Sequence, residues 1–181
     1  SEAITLNYGL RYSLFCRFGP QNVSIYDNNQ AVVFNEEFGI YEKAIPTGIK
    51  SYKSNEVIAQ FGNFEPRVSI SYSLNENQSI KGSYNRMAQY LHLISNTSSP
   101  TPLDIWSPSD DFFKPQLLDQ FAVGYFRNFK DDKYSVEIET FYKKATNTVN
   151  YIDGSELVGN NNLEQIILNV RSRAYGIEFL L

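Results

Sequence analysis

The 181-residue sequence contains one cysteine, one tryptophan, one methionine and one histidine. Each scarcity closes off a class of explanation. A lone thiol cannot form an intrachain disulfide, so no disulfide framework holds the fold together. Cys16 falls on the apolar parity of its segment, which suits a buried or lipid-facing thiol better than a nucleophile. His92 has no cysteine or second histidine with which to build a zinc site. No run of about 18 apolar residues occurs, which excludes a transmembrane helix. Membrane strands of about 9–11 residues remain possible. Excess positive charge is missing too. The net charge is -4, with Lys and Arg scattered, against the basic face that nucleic acid asks for. The sequence has no phosphate loop, dinucleotide fingerprint, nucleophile elbow or EF-hand spacing. No enzyme, cofactor or metal site is expected.

Against these scarcities stand 13 Tyr and 13 Phe. Tyr suits a place where one end of a side chain is dry and the other wet, as at a membrane interface. Composition alone leaves an aromatic-rich soluble β-domain equally open. The order of residues says more. In ITLNYGLRYSLFCRF, residues 4 to 18, every even position is apolar, from Ile4, Leu6, Tyr8 and Leu10 onward. The odd positions are polar or small except Phe15. Period two predicts a strand with one dry face, about three times the usual length of roughly 5–6 residues. The same alternation near residues 64–74, 78–90, 116–129, 134–151 and 170–181 predicts five further strands. Tight turns at Asn75-Glu76-Asn77 and Lys130-Asp131-Asp132-Lys133 join two pairs. The other connections, near 19–63, 91–115 and 152–169, far exceed a usual loop of about 4–6 residues. Short and long connections alternate.

Alternation fits a sandwich as well as a barrel, but loops sorted by length onto opposite ends favour a barrel. The predicted fold is all-β, an antiparallel up-and-down transmembrane β-barrel segment. An Arg facing lipid at the bilayer midplane costs about 2–4 kcal/mol, falling to about 0–1 near the interface. The charges on the dry parity are therefore expected at the rims: Arg127 beside a short turn, and Asp119, Arg171 and Arg173 beside long loops. Arg86 is expected high in the band, snorkelling to headgroups. The extra length of the first strand predicts a wall projecting above the membrane. Six strands cannot close, since the smallest single-chain barrels have about eight. The chain is therefore expected to be a piece of a larger barrel.

The text around the second to fourth strands is recognisable. FEPR opens a descending strand, SYNR and MAQYLHLISN rise to a loop, PTPLDIWSP follows, and KPQLLDQFAVGYFRNF returns. FYKKATNTVNYIDG and RAYGIEFLL complete it. This resembles the barrel portion of TonB-dependent outer-membrane receptors of the Bacteroidetes type, over roughly residues 60 to 181 and less specifically before them. The resemblance implies a barrel of about 22 strands around a plug domain. It implies a location in the bacterial outer membrane, among lipid and lipopolysaccharide. Capture and active import of a nutrient, such as a glycan or siderophore, would follow, powered by TonB acting on the plug. A surface lipoprotein is a further implied partner. The sequence shows no plug, TonB-contacting segment or signal peptide, so this piece is not expected to transport alone. A secreted β-sandwich binding module, with carbohydrate as a ligand class, and a passive porin are the alternatives.

Loop residues are the ligand-binding candidates: Tyr41 and Tyr52 in the first long loop, and Asp104, Trp106 and Asp110 in the second. An exposed Trp among carboxylates can stack on a planar ligand. The competing expectation is that Trp106 packs its loop onto the barrel wall. The first long loop, with Tyr26, Phe34 and Phe38 besides, is the better place for specificity. The wet-parity charges Glu65, Arg67, Lys81, Glu137, Glu139 and Lys143 are expected to form cross-strand ion pairs.

Overall fold

The computed structural model describes residues 3–94, 105–129, 133–155 and 162–181. Twelve strands follow one another there: β1 (Ile4–Phe18), β2 (Gln21–Ile25), β3 (Val32–Asn35), β4 (Ile40–Lys43), β5 (Gly48–Tyr52), β6 (Val57–Asn75), β7 (Gln78–Gln89), β8 (Leu91–Ile94), β9 (Ile105–Pro108), β10 (Gln116–Phe129), β11 (Tyr134–Tyr151) and β12 (Ile167–Leu180). The long ones form one six-stranded sheet in the order β1-β6-β7-β10-β11-β12. Every neighbouring pair in it is antiparallel. This is the up-and-down arrangement that the alternating short and long connections require. β1 and β12 are its two edges, and they do not pair with each other.

Two strands reach further than the alternation indicates. β6 begins at Val57 instead of near residue 64, because β1 keeps pairing with it as far as Phe18↔Val57. Gln60 and Gly62 occupy the parity that is apolar from Phe64 onward, which is why residues 57–63 read as loop. β12 begins at Ile167, where it pairs with Tyr151. The turn after β6 is closed by Asn75, whose side-chain oxygen accepts the Asn77 amide at 3.0 Å. Most of the second predicted turn, residues 130–132, lies outside the described residues.

The sheet does not stay whole along its height. β6 and β7 pair from the turn up to Arg67↔Asn85 and no further, while β1–β6 and β7–β10 continue. Pro66 is the next residue of β6. It has no N–H to give, so the ladder to β7 stops where its amide is missing. Side chains close the gap instead. Tyr90, just past β7, stacks on Phe15 of β1 with ring centroids 5.2 Å apart. Its hydroxyl lies 2.7 Å from Ser13 Oγ and accepts from Asn63 Nδ2 at 2.9 Å.

The apolar core lies at the loop end of the sheet. Ile94, Phe113, Ile152, Ile166 and Ile167 are buried together, with Val32, Ile105, Phe112 and Leu163 packed around them. These residues come from all three long connections, so the loops form one packed cap at that end. β2 pairs with β5, β3 with β4 and β8 with β9 inside it, giving its backbone groups partners away from the main ladder.

Candidate functional site

The two faces of the sheet differ in chemistry. Across it, Tyr8, Val68, Tyr84, Phe121, Tyr142 and Tyr175 stand in register in one row. The row below runs Leu6, Ile70, Gly82, Val123, Thr140 and Ile177. These side chains face outward, and no second layer covers them among the described residues: Tyr8 is 82% exposed and Ile177 64%. With five inter-strand spacings of about 4.8 Å, the patch is about 24 Å wide, far more than a soluble monomer leaves open. No second sheet packs on it among the described residues, so the sandwich alternative fails.

Above the aromatic row stands a charged one: Arg86, Asp119, Lys144 and Arg173 on four adjacent strands. Arg86 lies 3.6 Å from Asp119, whose other contact is the Tyr84 hydroxyl at 2.7 Å. Arg86, expected to snorkel to headgroups, thus has an ion-pair partner at the aromatic girdle. Lys144 escaped the sequence count although it shares that parity. At the opposite end Arg127 lies over the Phe129 ring, 4.4 Å from its centroid.

β1 and β6 stay apolar beyond the charged row, through Tyr12, Leu14 and Phe64, all more than half exposed. From the row of Tyr175 to the row of Leu14 the apolar edge climbs 6 residues (14 minus 8, Tyr8 sharing the row of Tyr175). Strands tilted by about 45° would shift a horizontal edge by about 7 residues over five spacings. The total climb is of the size that tilt produces, although the edge is level across β7, β10, β11 and β12. The climb comes in one step, at the parting of β6 and β7. The packed side of upper β1 is the inner one, through Phe15 and Arg17, not the dry parity.

The inner face is small and polar. Asn7, Ser69, Ser71, Ser83, Ala122, Lys81 and Glu139 line a shallow depression of about 410 Å³ with Gly124 and Phe126. The expected ladder of ion pairs is not there. Among the described residues, only Glu65 of that set is paired, with Arg11 at 3.7 Å. Lys81 and Lys143 sit over rings, 4.3 Å from Phe126 and 4.9 Å from Phe141. Both rings lie flat because glycines leave room. A Cβ on Gly124 would meet Phe126 at 2.8 Å, and one on Gly176 would meet Phe141 at 3.0 Å.

In the cap, the sequence candidates separate. Tyr41 is exposed on the β3–β4 hairpin, its ring 5.0 Å from Phe34. Tyr52 is half-buried at the end of β5, with the Lys50 ammonium 4.5 Å above it. Asp104 lies outside the described residues. Trp106 is 60% exposed and makes no ring contact among the described residues, so it does not pin its loop to the wall. The other face of β8–β9 does the packing, with His92, Ile94 and Ser107 buried. His92 Nε2 lies 2.9 Å from Ser109 Oγ, and burial holds its pKa below the ordinary 6.5 despite nearby Asp110. Asp110 is not a free ligand group. It is buried, ion-paired to Arg17, and accepts the amides of Phe112 and Phe113 at 2.8 Å each. Tyr26, also named for specificity, is buried and donates to Glu164 at 2.9 Å. Burial and that carboxylate raise its pKa to about 12.

What the cap does assemble is a trough with one mainly polar lobe and one mainly apolar lobe. One lobe, about 420 Å³, is lined by Asn28, Asn29, Gln30, Asp111, Lys114 and Asn169 among others. A second, about 350 Å³, lies where β6 faces the start of β10 and is lined by Phe61, Asn63, Pro115, Leu117 and Asn147. Asn29, Asp111 and Lys114 line both. The 3₁₀ turn Asp27–Asn29 carries the amides, with Asn28 and Asn29 in the left-handed region at φ 54 and 55. Asn169 and Asn147 hold the rim by donating to Phe112 O and Pro115 O at 2.7 and 2.9 Å. Sequence pointed to the first long loop but not to these residues. Amides in a polar loop carry no periodic signal, and convergence from separate loops leaves none. No group of three metal-ligating side chains occurs among the described residues.

An open antiparallel sheet with an apolar, aromatic-bordered outer face, a polar inner face and loops gathered at one end is a section of a membrane-spanning β-barrel. The chain belongs to the outer membrane beta barrel domain family, whose model matches residues 1–149. It is therefore a protein of the bacterial outer membrane. No curated protein and no solved structure matches it.

Proposed function

We propose that the chain is wall, lumen lining and loops of a TonB-dependent receptor that captures a nutrient such as a glycan or siderophore and imports it actively. The observation that carries this reading is the packed cap. Loops drawn together around a built trough suit capture of a chosen ligand, which a passive pore does not need. The long-loop end is then extracellular and the short-turn end periplasmic. The smooth inner face meets a plug domain, TonB pulls on that plug, and the remaining strands of the barrel complete the wall. Lipopolysaccharide surrounds the outer rim, and a surface lipoprotein covers the loops. The reading assigns binding and transport to the protein, and no catalysis.

Growth tests it in the native host, on a panel of sole carbon and iron sources. Strains lack this gene, TonB, or both. Loss of the gene should slow growth on one source, loss of TonB should reproduce that defect, and the double loss should be no worse. A source whose use needs this gene yet survives loss of TonB would establish the passive-porin alternative.

A further inference from the structure

The outer face carries a charge imbalance at the height of the lipid headgroups. We infer that the basic corner of β11 and β12 is a binding site for the phosphate groups of an outer-leaflet glycolipid. The inference rests on the orientation proposed above, with the long loops outward, and is independent of TonB and import.

Arg86, Asp119, Lys144 and Arg173 share one row, and Arg171 stands a row higher on β12, opposite Thr146. Four cations against one carboxylate leave three positive charges in excess, on a chain whose net charge is -4. The fold supplies an anion to only one of the four. Asp119 Oδ1 accepts from the Tyr84 hydroxyl at 2.7 Å and lies 3.6 Å from Arg86 Nε. Among the described residues no carboxylate pairs with Lys144, Arg171 or Arg173, and all three are exposed. Lys144 and Arg173 are direct register partners. Like charges so placed repel, and their juxtaposition is unfavourable until an anion sits between them. Arg171 rises from the backbone within about 8 Å of both, so one anionic group reaches all three.

Position names the anion. The charged row stands two residues beyond the aromatic one, a height of about 5 Å for strands tilted by about 45°. Aromatic rows of this kind mark the headgroup level of a bilayer. The long loops lie at the same end, so the leaflet is the outer one, whose headgroups in this membrane are phosphorylated sugars. Guanidinium groups grip phosphate oxygens in pairs, and the Lys144 ammonium adds a mobile point charge. Basic clusters at a membrane surface recognise anionic headgroups in this way. The site is also local. In the same row and the next, β1 and β6 present only Leu10, Pro66, Tyr12 and Phe64. Cations that merely snorkelled would be spread around the wall; here they gather on one side of it. Free phosphate shares the chemistry but lacks acyl chains to lie on the apolar wall below.

The test uses the full-length protein, purified in detergent, freed of native lipid and followed by native mass spectrometry. It is titrated with diphosphoryl lipid A, with the same lipid dephosphorylated, and with phosphatidylglycerol as an anionic lipid without sugar. Inorganic phosphate at millimolar concentration serves as competitor. Diphosphoryl lipid A should bind about tenfold more tightly than its dephosphorylated form. Lys144→Gln with Arg173→Gln should abolish that preference, and Arg171→Gln alone should reduce it. Lys143→Gln, the neighbour on the inner face over Phe141, should leave it unchanged. Heat-modifiable migration on gels confirms that every variant is folded. The inference is overturned if the phosphates confer no preference, as when a carboxylate of the strand beside β12 already neutralises the arginines. It is equally overturned if the preference survives the double variant, if phosphatidylglycerol binds as tightly, or if inorganic phosphate displaces the lipid. An epitope tag in the turn between β3 and β4 reads the orientation separately. Detection on intact cells without a lipid preference sinks this inference alone, whereas a tag reached only in broken cells sinks the orientation and the inference together. Uptake that proves independent of TonB would end the import reading and leave this site standing.

Discussion

At the scale of single residues, side-chain parity does most of the explaining. Ile70 and Ser71 are neighbours in β6, yet Ile70 stands in the apolar row beside Leu6 and Gly82 and Ser71 in the polar one beside Thr5 and Lys81. Ile70→Arg should cost about 2–4 kcal/mol near mid-band and block assembly into the outer membrane. Ser71→Arg should leave assembly intact, as read by heat-modifiable migration of membrane fractions. Equal outcomes would reverse the assigned faces. Such positions are legible from sequence because period two survives in it. Asp110 and Asp111 show the opposite case. They are adjacent and chemically identical, but Arg17 and the Phe112 and Phe113 amides occupy the first, and the second opens onto the trough. A local turn holds one oxygen of Asp110, and the approach of distant β1 takes the other, which no local pattern encodes.

At the scale of elements, the parting of β6 and β7 is the instructive departure. Pro66 was visible in the sequence within an alternating run, but alternation reports which face a residue takes, not which neighbour its amide serves. Tyr90 then substitutes for the missing ladder. Tyr90→Phe removes its contacts with Ser13 and Asn63, all three residues being half-buried, at about 0.5–1.5 kcal/mol for each hydrogen bond lost. Hydrogen exchange should quicken in upper β1 and β6 while the β6–β7 pairs near the turn keep their protection. The β8–β9 hairpin carries a pH response. His92 is held neutral by burial, so its contribution is complete above pH 6.5 and fades as pH falls below it. Tyr26 works in the other direction, contributing below pH 10 and losing its effect as pH rises toward about 12. Protease resistance of the cap should therefore fall on mild acidification, and His92→Gln should flatten that acid limb without touching the alkaline one.

For the whole molecule, six outward-facing strands and a cap that holds the buried apolar core imply a protein stable only where hydrocarbon covers its wall. Removal of detergent should bring aggregation in place of a cooperative melt, and a clean thermal transition of a detergent-free monomer would contradict the membrane assignment. The sheet itself was legible in the sequence because hydrocarbon on one side and water on the other impose a strict two-residue code. The cap was not, since loops packing on one another obey no such code. The unpaired outer edges of β1 and β12 carry a last consequence. Each is a long row of amides and carbonyls, and lipid tails offer them nothing to bond with. A half-built wall therefore has no resting state inside the bilayer. Insertion and closure must proceed as a single event, with some agent shielding the free margins until the last seam zips.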